Sequence, residues 1–141
     1  MRRFEKSHAV RDPELRSSWR QEQSRCACCW RPYYQNGAWI ECHHIVKPGR
    51  SDELCNFLGL CAGFVEGPRC HELAEGMRIR RDDGELWPTL SLANCLWLKR
   101  ESDPENFDPA RLEQLLHKFL PEPERPSELF FQCRHDPLTR C

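Results

Sequence analysis

The sequence has no long apolar run of the kind that a membrane protein needs. No uninterrupted apolar stretch approaches the roughly 20 residues of a membrane-spanning helix, and the mean hydropathy is −0.76. The first eight residues, MRRFEKSH, carry charges with no apolar stretch behind them, so no secretory signal is expected. A glycine-rich nucleotide-binding loop is also missing. We therefore expect a cytoplasmic, intracellular protein that does not contact membranes.

The chain also has almost no net charge, since the total is only −1. The charges are unevenly distributed, with eight Lys or Arg against four Asp or Glu in residues 1–31 and three against eight in residues 101–128. The basic N-terminal part is therefore the better candidate for contacts with phosphate groups, and the acidic segment is expected to face away from them. A chain of 141 residues suits one domain with a modest core.

Cysteine, in contrast, is abundant, and ten cysteines indicate either a metal site or a set of disulfides. Cys26 and Cys29 are spaced as one zinc knuckle, and Cys61 and Cys70 can form the second. Four thiolates around one zinc ion link distant segments of a small domain. We favour zinc over disulfides because no secretory signal is found. Cys28 lies inside the first knuckle and can replace a neighbour there.

The remaining cysteines of interest have simpler interpretations. Cys42 and Cys55 are interpreted as small buried hydrophobic residues. Cys133, His135 and Cys141 can form a second metal site near the end of the chain, but this is the less favoured interpretation of that segment.

The stretch around residues 39–49 predicts a strand that ends in two histidines. Residues 39–42, WIEC, have the residue types of a short strand, and His43 and His44 follow before Pro48-Gly49 breaks the pattern. Adjacent residues on a strand point to opposite faces, so the two imidazoles are expected to do different jobs.

A second strand and a helix are predicted to follow. Asn56 lies twelve residues after His44 and begins a short apolar run that ends at Cys61. Cys70 and His71 then open a helix-favouring segment. The predicted order is therefore strand, loop, strand and helix.

These residues resemble the motif of the HNH endonucleases, through the segments CHHIVKPG, NFLGLC and CH. The resemblance covers roughly residues 26–76, about a third of the chain. Two features differ from the family pattern: eight residues separate Cys61 from Cys70 where the family usually has two, and Glu75 stands where many members have another histidine. The resemblance implies an α+β fold with a ββα-metal (HNH) core that is held together by a four-cysteine zinc site.

The resemblance also implies a role for each polar residue. His44 would be the general base that takes a proton from water, since imidazole can do so at neutral pH. His43 and His71 would hold a catalytic Mg²⁺, Mn²⁺ or Ni²⁺, separate from the structural Zn²⁺. Asn56 would pin the loop between the strands and orient the base. Glu75 shares a helix face with His71, so it is either an additional oxygen ligand or only a solvated carboxylate.

Four basic residues are candidates for contacts with DNA phosphates. Lys47 and Arg50 lie in the loop after the histidine pair, and Arg78 and Arg80 share one face of a predicted hairpin. Charges in such positions are also often simply solvated.

The segments that flank the core have recognisable helix and turn signals. A helix that is capped by Asp12 and begins at Pro13 is predicted to about residue 24, with Trp19 in the core. Residues 77–87 predict a β-hairpin with an Asp-Gly turn. Further helices are predicted over 90–99 and from 109 to about 120, the latter with one apolar side formed by Leu112, Leu115, Leu116 and Phe119.

The end of the chain begins with the proline-rich acidic segment PEPERP, which is expected to be extended. The tail after it is predicted to add a short strand or to dock on the core. The predicted organisation is a basic arm and helix (1–25), the nuclease core (26–76), a hairpin with helices (77–120) and a linker with a tail (121–141).

Together with the resemblance, the sequence predicts a metal-dependent DNA endonuclease that acts in a bacterial or phage-infected cell. One active site cuts one strand, so cutting both requires a homodimer or two successive nicks. The small size predicts weak specificity or a protein partner that provides it. The alternatives are a non-catalytic zinc module that binds nucleic acid or protein, and a disulfide-rich extracellular binder.

Overall fold

The computed structural model describes residues 9–33, 38–63 and 69–135, and it has a mixed α+β fold. Two strands, β1 (Ala38–His44) and β2 (Phe57–Gly63), form an antiparallel sheet. The described helices are α1 (Pro13–Gln21), α2 (Cys70–Ala74), α3 (Leu92–Ser102), α4 (Pro109–Leu116) and α5 (Glu128–His135). None of the helices in these ranges is long and apolar enough to cross a membrane. The α+β class is therefore confirmed.

Helix α1 begins where the sequence predicts. The carboxylate of Asp12 accepts a hydrogen bond from the backbone N–H of Leu15, and Pro13 occupies the first turn, where its missing N–H costs nothing. The helix ends at Gln21, three residues before the predicted end. Trp19 is buried, and its ring packs 5.4 Å from that of Phe57, which confirms it as a core residue.

The sheet is covered by helices on both faces. In the strand register His43 pairs with Leu58 and His44 with Phe57. Because side chains alternate along a strand, His44 lies on the Phe57 face, which α1 covers, and His43 lies on the other face, against α2. Six of the seven β2 residues are consequently buried.

Helix α3 starts at a capping box that sequence analysis did not use. The hydroxyl of Ser91 accepts from the backbone N–H of Asn94, and the Asn94 side chain accepts from the backbone N–H of Ser91. This fixes the helix start two residues later than predicted, and the helix continues to Ser102.

The hairpin predicted over residues 77–87 does not form two strands. One isolated bridge joins Arg80 to Leu86, and the backbone reverses through a bond from the Gly84 N–H to the Arg81 carbonyl. Only Ile79 and Trp87 pack against the core from this segment. The N–H of Trp87 also donates to the Ile79 carbonyl, and that of Arg81 to the Glu85 carbonyl, so the predicted reversal is present. The two regular strands predicted around it are absent, as expected for a ribbon with so little apolar contact.

The end of the chain corrects one prediction and decides between two alternatives. Helix α4 stops at Leu116 because His117 takes a left-handed conformation with φ of 56°, so Phe119 is 87% exposed rather than on the apolar side of the helix. Of the two alternatives for the tail, docking on the core is confirmed, since helix α5 docks there through the buried Phe130, and the strand does not form. The second metal site considered for Cys133, His135 and Cys141 depends on side chains outside the described part of the chain.

An ion pair at the end of α3, between the buried Lys99 and the partly exposed Asp103 four residues later, is bound by Trp19 of α1. The ammonium group of Lys99, a residue with 0% exposure, lies 2.6 Å from the Asp103 carboxylate and donates to the Leu54 carbonyl at 2.7 Å. The indole N–H of Trp19 donates to the same carboxylate at 3.3 Å, and the Lys99 charge lies 5.2 Å from the indole ring. A charge removed from water in this way needs every one of these partners.

We expect Asp103→Ala to lower the free energy of unfolding by about 3–5 kcal/mol, because it leaves the buried Lys99 charge without its counter-ion. Urea unfolding of the zinc-loaded protein measures the change. The matched control is Glu101→Ala, which breaks the exposed Arg100–Glu101 pair of the same helix and should cost less than about 1 kcal/mol. Equal losses in the two variants would contradict the assignment.

Candidate metal centres and active site

Four buried cysteines, named here the cysteine cluster, come together from three segments. Cys26 and Cys29 lie in the turn before β1, Cys61 lies in β2 and Cys70 begins α2. Their sulfurs all lie within 4.8 Å of one another, and those of Cys29 and Cys61 are 3.7 Å apart. Ligand sulfurs of a tetrahedral zinc site are about 3.8 Å apart, given Zn–S bonds of about 2.3 Å. A disulfide would need about 2.05 Å, so this geometry fits a metal ion.

Backbone and side-chain donors surround the cysteine cluster as they do in thiolate metal sites. The backbone N–H of Cys70 donates to the sulfur of Cys61 at 3.3 Å, and that of Cys28 donates to Cys26 at 3.4 Å. The guanidinium of Arg31, which is only 2% exposed, approaches the Cys61 sulfur to 3.5 Å. A buried cation beside the cluster favours the net negative charge that four thiolates around zinc carry.

The thiol protonation also suits a divalent cation. Burial by itself would raise the pKa of Cys26, but hydrogen bonds from the thiols of Cys29, Cys61 and Cys70 lower that pKa well below its usual value. The pKa of Cys70 is raised, first by its hydrogen bond to Cys26. One thiol of the cluster can therefore ionise while the others stay protonated, and binding of a metal ion would displace the remaining thiol protons.

The other cysteines of the core stay outside this cluster. Cys28 is fully buried, yet the metal-holding group in the described ranges consists of Cys26, Cys29, Cys61 and Cys70. Burial raises the pKa of Cys42 to about 12 and that of Cys55 to about 11. Thiols with such values stay protonated and behave as small hydrophobic residues.

A second group, named here the histidine cluster, consists of His43, His71 and Glu75, whose ligand atoms also lie within 4.8 Å of one another. His43 comes from the end of β1, and His71 lies in α2 one turn before Glu75. The Glu75 carboxylate is 3.2 Å from His43 Nδ1 and 3.5 Å from His71 Nε2. Two imidazoles and a carboxylate are a common ligand set for first-row divalent ions.

The electrostatics of the histidine cluster keep its ligand atoms available. Burial, followed by the neighbouring His71, lowers the pKa of His43 to about 4, so this imidazole is neutral and retains its lone pair. Burial would raise the pKa of Glu75, but the hydrogen bond and charge of Lys47 outweigh burial and lower it. The Lys47 ammonium lies 3.3 Å from Glu75 and donates to the Ala74 carbonyl at 3.0 Å.

Glu41 is a member of this site that sequence analysis missed. Its carboxylate lies 3.5 Å from His71 Nδ1, on the nitrogen opposite the one that faces Glu75. Such outer carboxylates fix the orientation of metal-binding imidazoles. The two-residue spacing from Glu41 to His43 places both on one strand face and was the available signal.

His44 is separate from the histidine cluster and has a different partner. Its Nε2 lies 2.8 Å from the carboxylate of Asp52, a residue that is 1% exposed and that sequence analysis also missed. Burial would raise the pKa of Asp52, but the bonds from His44 and from the backbone N–H of Asp12 lower it. The carboxylate is therefore ionised beside the imidazole.

Asn56 holds the loop that connects the two strands. Its side-chain oxygen accepts from the backbone N–H of Val46 at 2.7 Å. Its amide nitrogen donates to the carbonyls of Val46 at 3.2 Å and Ser51 at 3.0 Å. Asn56 itself is fully buried, so these bonds satisfy a side chain that could not reach water.

The candidate phosphate contacts are in different environments. Lys47 lies at the histidine cluster, as described above. Arg50 is exposed in the strand-connecting loop with φ of 44°. Arg78 and Arg80 are exposed in the reversal after α2, where the Arg80 guanidinium donates to the Gly84 carbonyl at 2.7 Å. Of the four, Lys47 is therefore the residue that the fold joins to the histidine cluster by direct contacts.

Comparison of the chain with family models, with curated proteins and with solved structures finds no match. The functional interpretation therefore depends on the two clusters, on the residues around them, and on the motif resemblance.

Proposed function

We propose that this protein is a metal-dependent endonuclease of the HNH type, which hydrolyses DNA phosphodiester bonds. The observation that carries the proposal is the histidine cluster, in which a strand end and a helix bring His43, His71 and Glu75 within ligand distance. The cysteine cluster, which can hold zinc, joins the same strand pair to the same helix. Two strands followed by a helix is also the order that the resemblance implies.

The proposed reaction divides the chemistry between the two histidines of β1. The chemistry that a divalent ion supplies, when held by His43, His71 and Glu75, is polarisation of the phosphate and stabilisation of the leaving 3′ oxygen. His44, the adjacent residue at the strand end, takes a proton from the attacking water. Asn56 keeps the loop after the strand in place. The products are a 5′-phosphate and a 3′-hydroxyl.

The ligand set favours particular catalytic ions. Neutral imidazoles bind Mn²⁺ and Ni²⁺ better than Mg²⁺, whereas the Glu75 oxygen is a ligand that Mg²⁺ prefers. We therefore expect activity with Mn²⁺ or Ni²⁺ at least equal to that with Mg²⁺.

Binding of DNA is assigned to basic residues near this site. Lys47 and Arg50 lie in the loop after His44, and Arg20 lies on α1 beside a cleft of about 290 Å³ that β1 also lines. These contacts reach the DNA backbone and carry no base information. Specificity and cleavage of both strands would then come from a second copy of the chain or from a protein partner.

Nicking of supercoiled plasmid by zinc-loaded protein tests the proposal, with Mg²⁺, Mn²⁺ or Ni²⁺ added singly or with none. We expect metal-dependent conversion to open circles. His44→Ala should slow it by at least about 10²-fold, because a general base typically contributes 10²–10⁴-fold.

The matched control is His117→Ala, which removes the exposed histidine after α4 and should leave the rate unchanged. Zinc content and circular dichroism must be equal in all samples. A folded, zinc-loaded protein that converts no plasmid with any of the ions would contradict the proposal and favour a non-catalytic zinc module.

A further inference from the structure

The carboxylate of Asp52 is held from several sides in the core, on the sheet face opposite the histidine cluster. Its Oδ1 lies 2.8 Å from His44 Nε2 and 3.4 Å from the Arg16 guanidinium, and its Oδ2 accepts from the backbone N–H of Asp12 at 2.9 Å. Both oxygens have donors, so the plane of the carboxylate is fixed relative to the imidazole.

This arrangement determines which nitrogen of His44 can act as a base. An ionised carboxylate only accepts hydrogen bonds, so the proton of a neutral His44 ring must be on Nε2, which faces Asp52. The lone pair is then on Nδ1. We propose that Asp52 is a positioning residue, which holds His44 in the Nε2–H tautomer and presents Nδ1 to the attacking water. This inference rests on the proposed nuclease function.

Helix α1 and the residues before it provide further hydrogen bonds to the loop that contains Asp52. The backbone N–H of Val10 donates to the Ser51 hydroxyl at 2.9 Å, and the Val10 carbonyl accepts from the backbone N–H of Asp52 at 2.7 Å. The Asp12 and Arg16 donors to the carboxylate come from the same segment. The base is therefore oriented by a helix that lies outside the motif containing it.

A purely structural role for the His44–Asp52 pair makes a different prediction. In that case, loss of the carboxylate would lower stability but would not change the turnover of the protein that remains folded. A role in orienting the base lowers kcat and leaves DNA binding unchanged, because Asp52 is buried and cannot contact the substrate.

The experiment compares Asp52→Asn with the wild-type protein on a short labelled duplex, with Mn²⁺ at saturation. The asparagine keeps the shape but replaces one acceptor oxygen by a donor, so the preferred tautomer of His44 is lost. We expect kcat to fall by at least about 10-fold, because a wrongly oriented base loses part of the 10²–10⁴-fold that a general base typically contributes. The KM for DNA and the Mn²⁺ concentration for half-maximal rate should stay within about 3-fold of wild type.

The matched control is Glu53→Gln, the same carboxylate-to-amide exchange one residue further along the loop, at a side chain that binds the Arg111 guanidinium of α4 at 2.7 Å. Its kcat should stay within about 3-fold of the wild-type value. A kcat for Asp52→Asn as high as that of Glu53→Gln would overturn the inference.

Nitrogen NMR of the imidazoles provides a second measurement that does not depend on the variant folding. In the wild-type protein at neutral pH, the His44 ring should be the Nε2–H tautomer, and an Nδ1–H ring would overturn the inference. Active wild-type protein with an unaffected Asp52→Asn variant refutes this inference alone. A wild-type protein that nicks no DNA refutes the proposed function, and the catalytic role of Asp52 with it.

Discussion

Replacing Cys61 with serine should leave the chain largely unfolded at neutral pH and unable to retain zinc. Structural zinc binding contributes about 10–16 kcal/mol in small zinc domains, which equals or exceeds the roughly 5–15 kcal/mol of net stability of a typical domain. Cys61 lies in strand β2 and approaches both Cys29 and the N–H of Cys70. Its loss therefore separates the turn before β1, the sheet and α2 at once.

Metal analysis and circular dichroism measure this effect. The wild-type protein should hold one zinc per chain with its thiols unoxidised, and prolonged chelation should reproduce the spectrum of the variant. The control is Cys42→Ser, because Cys42 is half-buried and lies outside the cysteine cluster; it should retain zinc and a cooperative thermal transition. A Cys61→Ser protein that melts within a few degrees of wild type would show that the cluster is not a structural metal site. Disulfides found by mass spectrometry would support the extracellular alternative.

His71→Ala should abolish the effect of added divalent ions on the proposed DNA nicking while leaving zinc in the cysteine cluster. The substitution leaves only His43 and Glu75 to hold the proposed catalytic ion, and it also frees Glu41 from its imidazole partner. Metal ions contribute several kcal/mol of transition-state stabilisation, and each 1.36 kcal/mol is tenfold in rate. The nicking rate should therefore fall by about 10³-fold or more.

Plasmid nicking and calorimetric titration with Mn²⁺ measure this second effect on the same zinc-loaded sample. His117→Ala is again the control for removal of a histidine, and its titration should match that of the wild-type protein. The assignment of the histidine cluster would be wrong if His71→Ala bound Mn²⁺ with unchanged affinity. Unchanged binding together with lost nicking would instead make His71 a substrate contact.

The sequence predicted the residues that local rules govern. The start of α1 follows from Asp12 and Pro13, whose cap and ring act within one turn. The placement of His43 and His44 on opposite faces follows from the geometry of any strand. The four members of the cysteine cluster were predicted from the spacing of Cys26 and Cys29 and from the ligand chemistry of zinc. Residues 64–68, in the insertion between Cys61 and Cys70, are outside the described ranges.

Weakly packed segments were less predictable because local signals compete there with packing. The Asp-Gly turn after residue 81 is present as a reversal, but the strands around it find too little apolar surface and do not form. Helix α4 ends at His117, which takes the left-handed conformation. Glycine usually occupies this position, so the sequence carries no signal for the helix end. The tail has an apolar pair at Phe130 and Phe131 that suits either a strand or a helix, and docking on the core decided the helix.

The sequence by itself predicted the α+β class, the four cysteines and the His43–His71 pair that lie together as candidate metal ligands, and the placement of His43 and His44 on opposite strand faces. Only the tertiary structure revealed that Glu41 contacts His71, that Asp52 holds His44, and that Trp19 of α1 binds the Lys99–Asp103 pair of α3. The physical reason is that the partners in these contacts lie on different elements of the fold. The buried charges of Asp52 and Lys99 are stable only because folding brings several hydrogen-bond partners to each of them, and spacing along the sequence does not give that complete set of partners.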